Sequence, residues 1–232
     1  VVDFLDLAPT VLRLCGIEIP DSMAGDAFLP EAPLPGESGY AFGTSDRVDE
    51  AFELSRTLRT KRFRYVRNFL PHLPLLQPNF YTDQSAIMEE LFRVRSASSE
   101  PMHLFRERRE AEEFYDVASD PHELNNLADD PRHEVELIRH RRLLRREILA
   151  TRDTGFMFEP GMLGLAAGAP PFTVAHDPEI YPLETVLEVA DLVLEPRLSP
   201  DDLVPFLNHP DRFVRLWAAI TIEARGAERA RW

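Results

Sequence analysis

The sequence predicts an α/β domain, a small antiparallel sheet with packed helices, followed by an all-helical C-terminal segment. Two strand-like runs, residues 53–59 and 63–68, flank the polar turn Thr60-Lys61-Arg62. Their apolar residues recur at the two-residue strand period, placing Leu54, Arg56 and Leu58 on one face and Phe63, Tyr65 and Arg67 on another. Downstream, Asp120-Pro121 and Asp130-Pro131 each place a carboxylate before a proline. Such a pair starts a helix, because the carboxylate accepts an orphan N–H and proline at the first position has none to lose. From Leu183 onward, helical signals recur.

The opening residues read as a strand end running into a short helix, with Pro9 in its first turn and Gly16 as a left-handed stop. Cys15, on the apolar end of that helix, is expected to be a small buried residue. Prolines and glycines break periodicity from Ile17 to Gly39, and Tyr40 to Thr44 forms a short buried strand leading into the polar loop Ser45 to Glu50. Residues 70–78 are proline-rich and irregular, and Asp83 starts a helix whose Ile87, Met88, Leu91 and Phe92 share a face. Glu113 to Val117 supplies bulky strand formers. Asp120-Pro121-His122-Glu123 has the form of a capping box. The helix from Pro131 to about Arg152 carries one stripe of Leu137, Leu144 and Ile148 and a second of Val135, Ile138 and Leu149, so contact on two sides is expected. Residues 153–182 are rich in Gly, Pro and Ala, which points to a linker or surface wrap. The domain reading is therefore 1–153, a linker over 154–175, and a helical segment over 176–232.

Composition narrows function. The chain has 232 residues, 44% apolar content and a formal net charge of −14, so it can fill a core. No basic stripe invites nucleic acid. Only Lys61 among the 26 basic residues is lysine. The arginine excess suits bidentate recognition of carboxylate, phosphate or sulfate, but a base-composition bias is the better reading of it. A single cysteine excludes an internal disulfide and a multi-cysteine zinc site. No apolar run is long enough to span a bilayer. The chain begins with Val1, which reads as a piece starting inside a domain, and no localisation signal is visible.

Several motifs occur in order: Asp6-Leu7-Ala8-Pro9-Thr10 with Gly16, the loop from Pro20 to Gly25, the hairpin Ser55 to Asn68, and Glu113-Phe114-Tyr115-Asp116 followed by Asp120-Pro121-His122-Glu123-Leu124-Asn125-Asn126-Leu127-Ala128. Over Val1 to Asp153 this series resembles the C-terminal part of formylglycine-dependent (type I) sulfatases. The hairpin and the following Asn68 to Pro74 are most similar to the heparan N-sulfatase-like branch. The resemblance implies an alkaline-phosphatase-like fold, of which this chain is mainly the C-terminal subdomain. It implies hydrolysis of sulfate esters or sulfamates, with sulfated glycans as the substrate class. In such enzymes a hydrated formylglycine attacks sulfur beside a calcium ion.

Neither group finds a matching position here. Cys15-Gly16-Ile17-Glu18 lacks the proline or alanine and the arginine that formylglycine formation requires, so the catalytic and metal residues are expected in a missing N-terminal catalytic region. The chain alone is expected to be inactive and to bind no cofactor. A periplasmic or secreted location follows from the resemblance alone. Substrate contact is expected from the loop between the short strand and the hairpin. There Arg47 suits sulfate or carboxylate, and Asp49 and Glu50 suit sugar hydroxyl or amino groups. A charged solvated turn is the competing reading of the same residues. His72 reads as a packing residue. His103, His122, His133 and His140 show no metal-ligand spacing. Asp120, Glu123, Asp129 and Asp130 read as helix caps, and the arginines from Arg139 to Arg146 as a solvated face.

The tail, with Phe206-Leu207, Pro210-Asp211, Val214-Arg215 and Ala218-Ala219, resembles one HEAT repeat. A single repeat cannot bury its own face, so it should pack on the first domain or continue further. Two other functions stay open. One is a phosphodiesterase or phosphonate hydrolase of the same fold group. The other is a helical module binding a protein partner through the tail.

Overall fold

A computed structural model describes residues 1–29, 39–97, 103–165 and 168–226. In chain order the strands are β1 (Tyr40–Ser45), β2 (Ser55–Thr60), β3 (Phe63–Asn68) and β4 (Glu112–Asp116). The helices are α1 (Leu7–Leu14), α2 (Phe80–Asp83), α3 (Ala86–Ala97), α4 (Glu134–Ala150), α5 (Glu159–Leu165), α6 (Pro171–Ala175), α7 (Leu183–Asp191), α8 (Pro200–Leu207) and α9 (Arg212–Gly226). The strands form one sheet in the order β1-β2-β3-β4, with the expected hairpin at its centre. Antiparallel register shows where Phe69 N–H donates to Leu54 (2.9 Å), Asn68 N–H to Ala111 (3.0 Å) and Val117 N–H to Arg62 (2.9 Å). By compactness the chain divides into two units. The first comprises Val1–Gly43, Arg56–Val66 and Glu113–Leu144; the second comprises Thr44–Ser55, Arg67–Glu112 and Arg145–Trp232.

In the first unit, Asp6 organises the start of the chain. Its carboxylate accepts the N–H groups of Asp3 (2.8 Å) and Asp26 (2.9 Å), and its carbonyl accepts the Thr10 hydroxyl. Gly16 ends α1 at φ +68, the left-handed stop expected of it. Gly25 also has positive φ, and a Cβ there would lie 2.3 Å from the Leu5 carbonyl oxygen, so only glycine fits. The aromatic centre is Phe63 stacked on Phe114 (5.0 Å between centroids), with the His140 ring edge-on to Phe114 at 5.1 Å.

The first proline-started helix is absent. Asp120 instead accepts the Asn125 N–H (2.8 Å), and Glu123 takes the left-handed conformation at φ +56. The physical reason lies a few residues on. Asn126 Oδ1 accepts the Phe114 N–H (2.9 Å) and Leu127 N–H donates to the Phe114 carbonyl (2.7 Å), so this segment satisfies the outer edge of β4. A helix would withdraw both groups. The second start forms as expected, with Asp130 accepting the Arg132 N–H (3.0 Å) and a single 3-10 turn leading into α4. Helix α4 fully buries one stripe, Leu137, His140, Leu144 and Ile148, while in the expected second stripe Ile138 and Leu149 are half-buried and Val135 is 79% exposed.

His140 sits in an unusual polar state. Its Nδ1 lies 2.7 Å from the Glu136 carbonyl, and its buried Nε2 has no partner. Protonation would put an unpaired N–H into the aromatic centre, and burial accordingly holds this imidazole below the usual histidine range. The folded state therefore refuses a proton that the unfolded chain accepts. The contribution is complete above the ordinary histidine pKa of about 6.5 and is lost as pH falls through the depressed value. His72 shifts in the same direction. Urea midpoints are expected to fall between pH 7 and pH 5, with a shallower fall for His140→Gln. Equal slopes for the two proteins would remove His140 from this account.

The second unit contains the tail and its support. Ser199 and Asp202 form a reciprocal capping box that starts α8, and Asp211 accepts the N–H groups of Phe213 (2.8 Å) and Val214 (3.1 Å) to start α9. Helix α9 packs on α7 and α8. Its Trp217 is 1% exposed, stands 5.3 Å from the Phe156 ring and donates Nε1–H to the Phe156 carbonyl (2.9 Å). Phe69 completes the cluster, 4.7 Å from Phe156. The face of α9 is thus buried inside the unit.

Residues 153–182, expected to be irregular, hold a 3-10 turn, α5 and α6, with Phe156, Met157 and Val174 buried. Each helix there is too short to show a period in sequence. The expected helix at Asp83 is also displaced. Asp83 ends α2, and α3 starts after Ser85, whose hydroxyl accepts the Met88 N–H (3.3 Å). Of its four expected core residues only Met88 is buried.

Buried Arg67 ties this unit together. Its guanidinium donates to the carbonyls of Asn68 (2.9 Å), Ala111 (3.1 Å) and Ala190 (3.1 Å), lies 3.4 Å from Asp191 Oδ1, and stacks over Phe69 at 4.6 Å. Among the described residues no helix is long and apolar enough to cross a membrane.

Candidate functional site

The loop from Ser45 to Glu53 is braced along its length, all within the second unit. Val48 and Ala51 close an antiparallel bridge. The Gln77 side-chain amide pairs with the backbone of Phe52, accepting its N–H (3.1 Å) and donating to its carbonyl (2.6 Å). Asn79 caps α2 by accepting the N–H groups of Tyr81 and Thr82, and its amide donates to the Val48 carbonyl (3.4 Å). Side chains thus do for this loop what a neighbouring strand does in a sheet. The result is a fixed backbone under exposed charged groups.

Arg47 is held at both ends of its guanidinium. One terminal nitrogen donates to the Asp49 carbonyl, and the other lies 2.6 Å from Glu159 Oε2 at the start of α5. The Phe52 ring lies 5.9 Å from the guanidinium carbon. Asp49 has φ +49, which turns its carbonyl toward Arg47. Glu50 accepts the Phe80 N–H (2.5 Å), and that bond holds its carboxyl below the usual range. The structure therefore brings Arg47 and Asp49 together through a backbone carbonyl, and points Glu50 at α2. Glu159 was not legible from sequence, being 112 positions away. Asn79 was missed too, since the helix was expected to start at Asp83; the signal that could have found it is an asparagine just before the short run Phe80 to Asp83.

Beneath the loop lies a buried polar cluster. Arg109 donates to Glu53 Oε1 (2.7 Å), and Ser55 Oγ stands 2.9 Å from the same oxygen and 2.8 Å from Asn68 Oδ1. Burial pushes the Glu53 carboxyl up, but the Arg109 guanidinium and the serine hydroxyls outweigh it and leave the pKa lowered. His72 is half-buried, and that burial depresses its imidazole, with Arg108 and Arg109 acting the same way and Glu223 opposing. Glu53 and Arg109 neutralise one another.

Among the described residues no group of three or more His, Cys, Asp or Glu side chains is placed to hold a metal ion. Cys15, expected to be buried, is exposed at the C-terminal cap of α1. The apolar residues Leu7, Val11 and Leu14 of that helix are exposed as well, so α1 has no buried apolar face for Cys15 to join.

No family model matches the chain. It is 33% identical over 183 residues to an ulvan-active sulfatase of Formosa agariphila, an alignment that covers 77% of this chain and 30% of that protein. It is 27% identical over 147 residues to the N-sulphoglucosamine sulphohydrolase of Homo sapiens, covering 56% of this chain and 29% of that protein. Among solved structures, a 2-O GAG sulfatase aligns with a TM-score of 0.45 and 23% identity, covering 66% of this chain and 26% of that one. The chain spans less than a third of the length of these curated relatives, and the relatives are sulfatases.

Proposed function

We propose that this chain is the C-terminal part of a formylglycine-dependent sulfatase that hydrolyses sulfate esters or sulfamates of sulfated glycans. The observation that carries the reading is the 33% identity over 183 residues to an ulvan-active sulfatase. That relative's chemistry favours a sulfatase over a phosphodiesterase of the same fold group. Formylglycine would supply the nucleophile and calcium would neutralise charge on the sulfate oxygens. The described residues do not fit either group, since they hold no cluster of metal-ligating side chains and Cys15 precedes Gly16-Ile17-Glu18. Both therefore belong to the rest of the protein, and this chain alone is inactive. A periplasmic or secreted location goes with that assignment.

The contribution of this chain is the loop over Ser45–Glu53. Arg47 grips an anionic group of the sugar, and the Asp49 carboxylate accepts a sugar hydroxyl. Glu50 uses one oxygen on the Phe80 N–H and keeps the other for substrate. The full-length protein should release sulfate from ulvan oligosaccharides or from N-sulfated glucosamine and leave phosphodiesters intact, while residues 1–232 alone should release none. Phosphodiester cleavage without sulfate release would overturn the reading. In the full-length enzyme, Arg47→Ala should raise KM for the sulfated saccharide on the order of tenfold, the loss of one charge-assisted contact. Unchanged KM in both Arg47→Ala and Asp49→Ala would remove the loop from the site.

A further inference from the structure

We propose that Glu159 is a positioning residue for Arg47, fixing the guanidinium so that its remaining N–H groups meet an anionic group of a sulfated saccharide. This rests on the assignment of the Ser45–Glu53 loop to substrate. Arginine has five N–H donors in one rigid plane, so fixing two of them sets the direction of the others. Here the Asp49 carbonyl takes one terminal nitrogen and Glu159 Oε2, at 2.6 Å, takes the other.

The pair is not there for stability. Its side chains are 38% and 56% exposed, and an ion pair so wetted contributes little to folding. What it can do is choose one orientation for a long side chain on an exposed loop. The support of Glu159 is correspondingly firm. Phe156 and Met157, just before it, are fully buried, and Gly161, just after it, leaves no room for a Cβ, which would stand 2.6 Å from Phe213 Cε1. A carboxylate on that base is a fixed point for Arg47.

The test uses the full-length protein with two substrates, an ulvan oligosaccharide and p-nitrophenyl sulfate, which lacks the sugar. Glu159→Ala should raise KM for the oligosaccharide about fivefold with kcat little changed, and Glu159→Asp should recover part of the loss. The p-nitrophenyl sulfate constants should not move. Adding Glu159→Ala to Arg47→Ala should raise KM no further, because the two act as one unit. If Arg47→Ala raises KM and Glu159→Ala leaves it unchanged or lowers it, the positioning role is wrong and the loop assignment stands. Lowering would mean that Glu159 competes with substrate. An equal loss on both substrates would make the effect a general structural one and overturn the role. If Arg47→Ala itself changes nothing, the loop assignment falls and this inference falls with it.

Discussion

Replacing Trp217 by alanine is expected to cost about 3–5 kcal/mol of stability, the range for deleting a large aromatic from a packed core. The position concentrates three effects. The indole is 1% exposed, packs against the Phe156 ring at 5.3 Å and the Phe158 ring at 5.9 Å, and its Nε1–H satisfies the Phe156 carbonyl. Truncation leaves a cavity and takes a buried hydrogen-bond donor from the Phe156 carbonyl, and the two losses add. Since domains are stable by only about 5–15 kcal/mol, the variant should be close to unfolded. Trp217→Phe keeps most of the volume and loses the donor, so it should fall between. Urea midpoints followed by circular dichroism measure this. A midpoint for Trp217→Ala indistinguishable from wild type would show that α9 does not depend on this cluster.

Arg67→Met is expected to be nearly as damaging, about 3 kcal/mol, through the loss of charge-assisted bonds to buried acceptors. Methionine keeps the apolar stem and the contact with Phe69, so packing alone predicts a small effect. The carbonyls of Ala111 and Ala190 decide otherwise, each receiving a guanidinium N–H at 3.1 Å. Arg67→Lys separates charge from geometry, because an ammonium cannot reach along both directions of the planar fork. It should recover little. If methionine were tolerated without loss, the buried guanidinium would be carrying its own desolvation cost and nothing more.

How far the sequence foretold these features depends on how local their causes are. The hairpin was legible, β3 to its bounds and β2 to within two residues, because Phe63, Tyr65 and Arg67 alternate within a single element and Thr60-Lys61-Arg62 marks the turn. The cap at Asp130 was legible for the same reason, being complete within three residues. The helix expected after Asp120 failed because a non-local demand won: the edge of β4 takes Asn126 and Leu127, which sequence spacing cannot show. The second stripe of α4 held only in part, Ile138 and Leu149 being half-buried and Val135 exposed. At the loop, charge and position singled out Arg47, Asp49 and Glu50. Their actual partners, Glu159 and the Phe80 N–H, lie 112 and 30 positions away and leave no local pattern.

The conformation of Asp49 has a consequence for mutational scanning. What this residue gives Arg47 is its main-chain oxygen, presented by a left-handed backbone at φ +49. Alanine removes the carboxylate and also disfavours the left-handed region, so an alanine scan mixes two losses at this position. The informative replacements are those that differ in backbone preference. Glycine and asparagine tolerate the left-handed region, and valine, branched at Cβ, does not. A series Asp49→Asn, Asp49→Gly and Asp49→Val should therefore rank by conformational preference wherever Arg47 is the limiting contact. Position 49 thus serves twice, once through its carboxylate and once through a main-chain oxygen that only certain dihedral angles present.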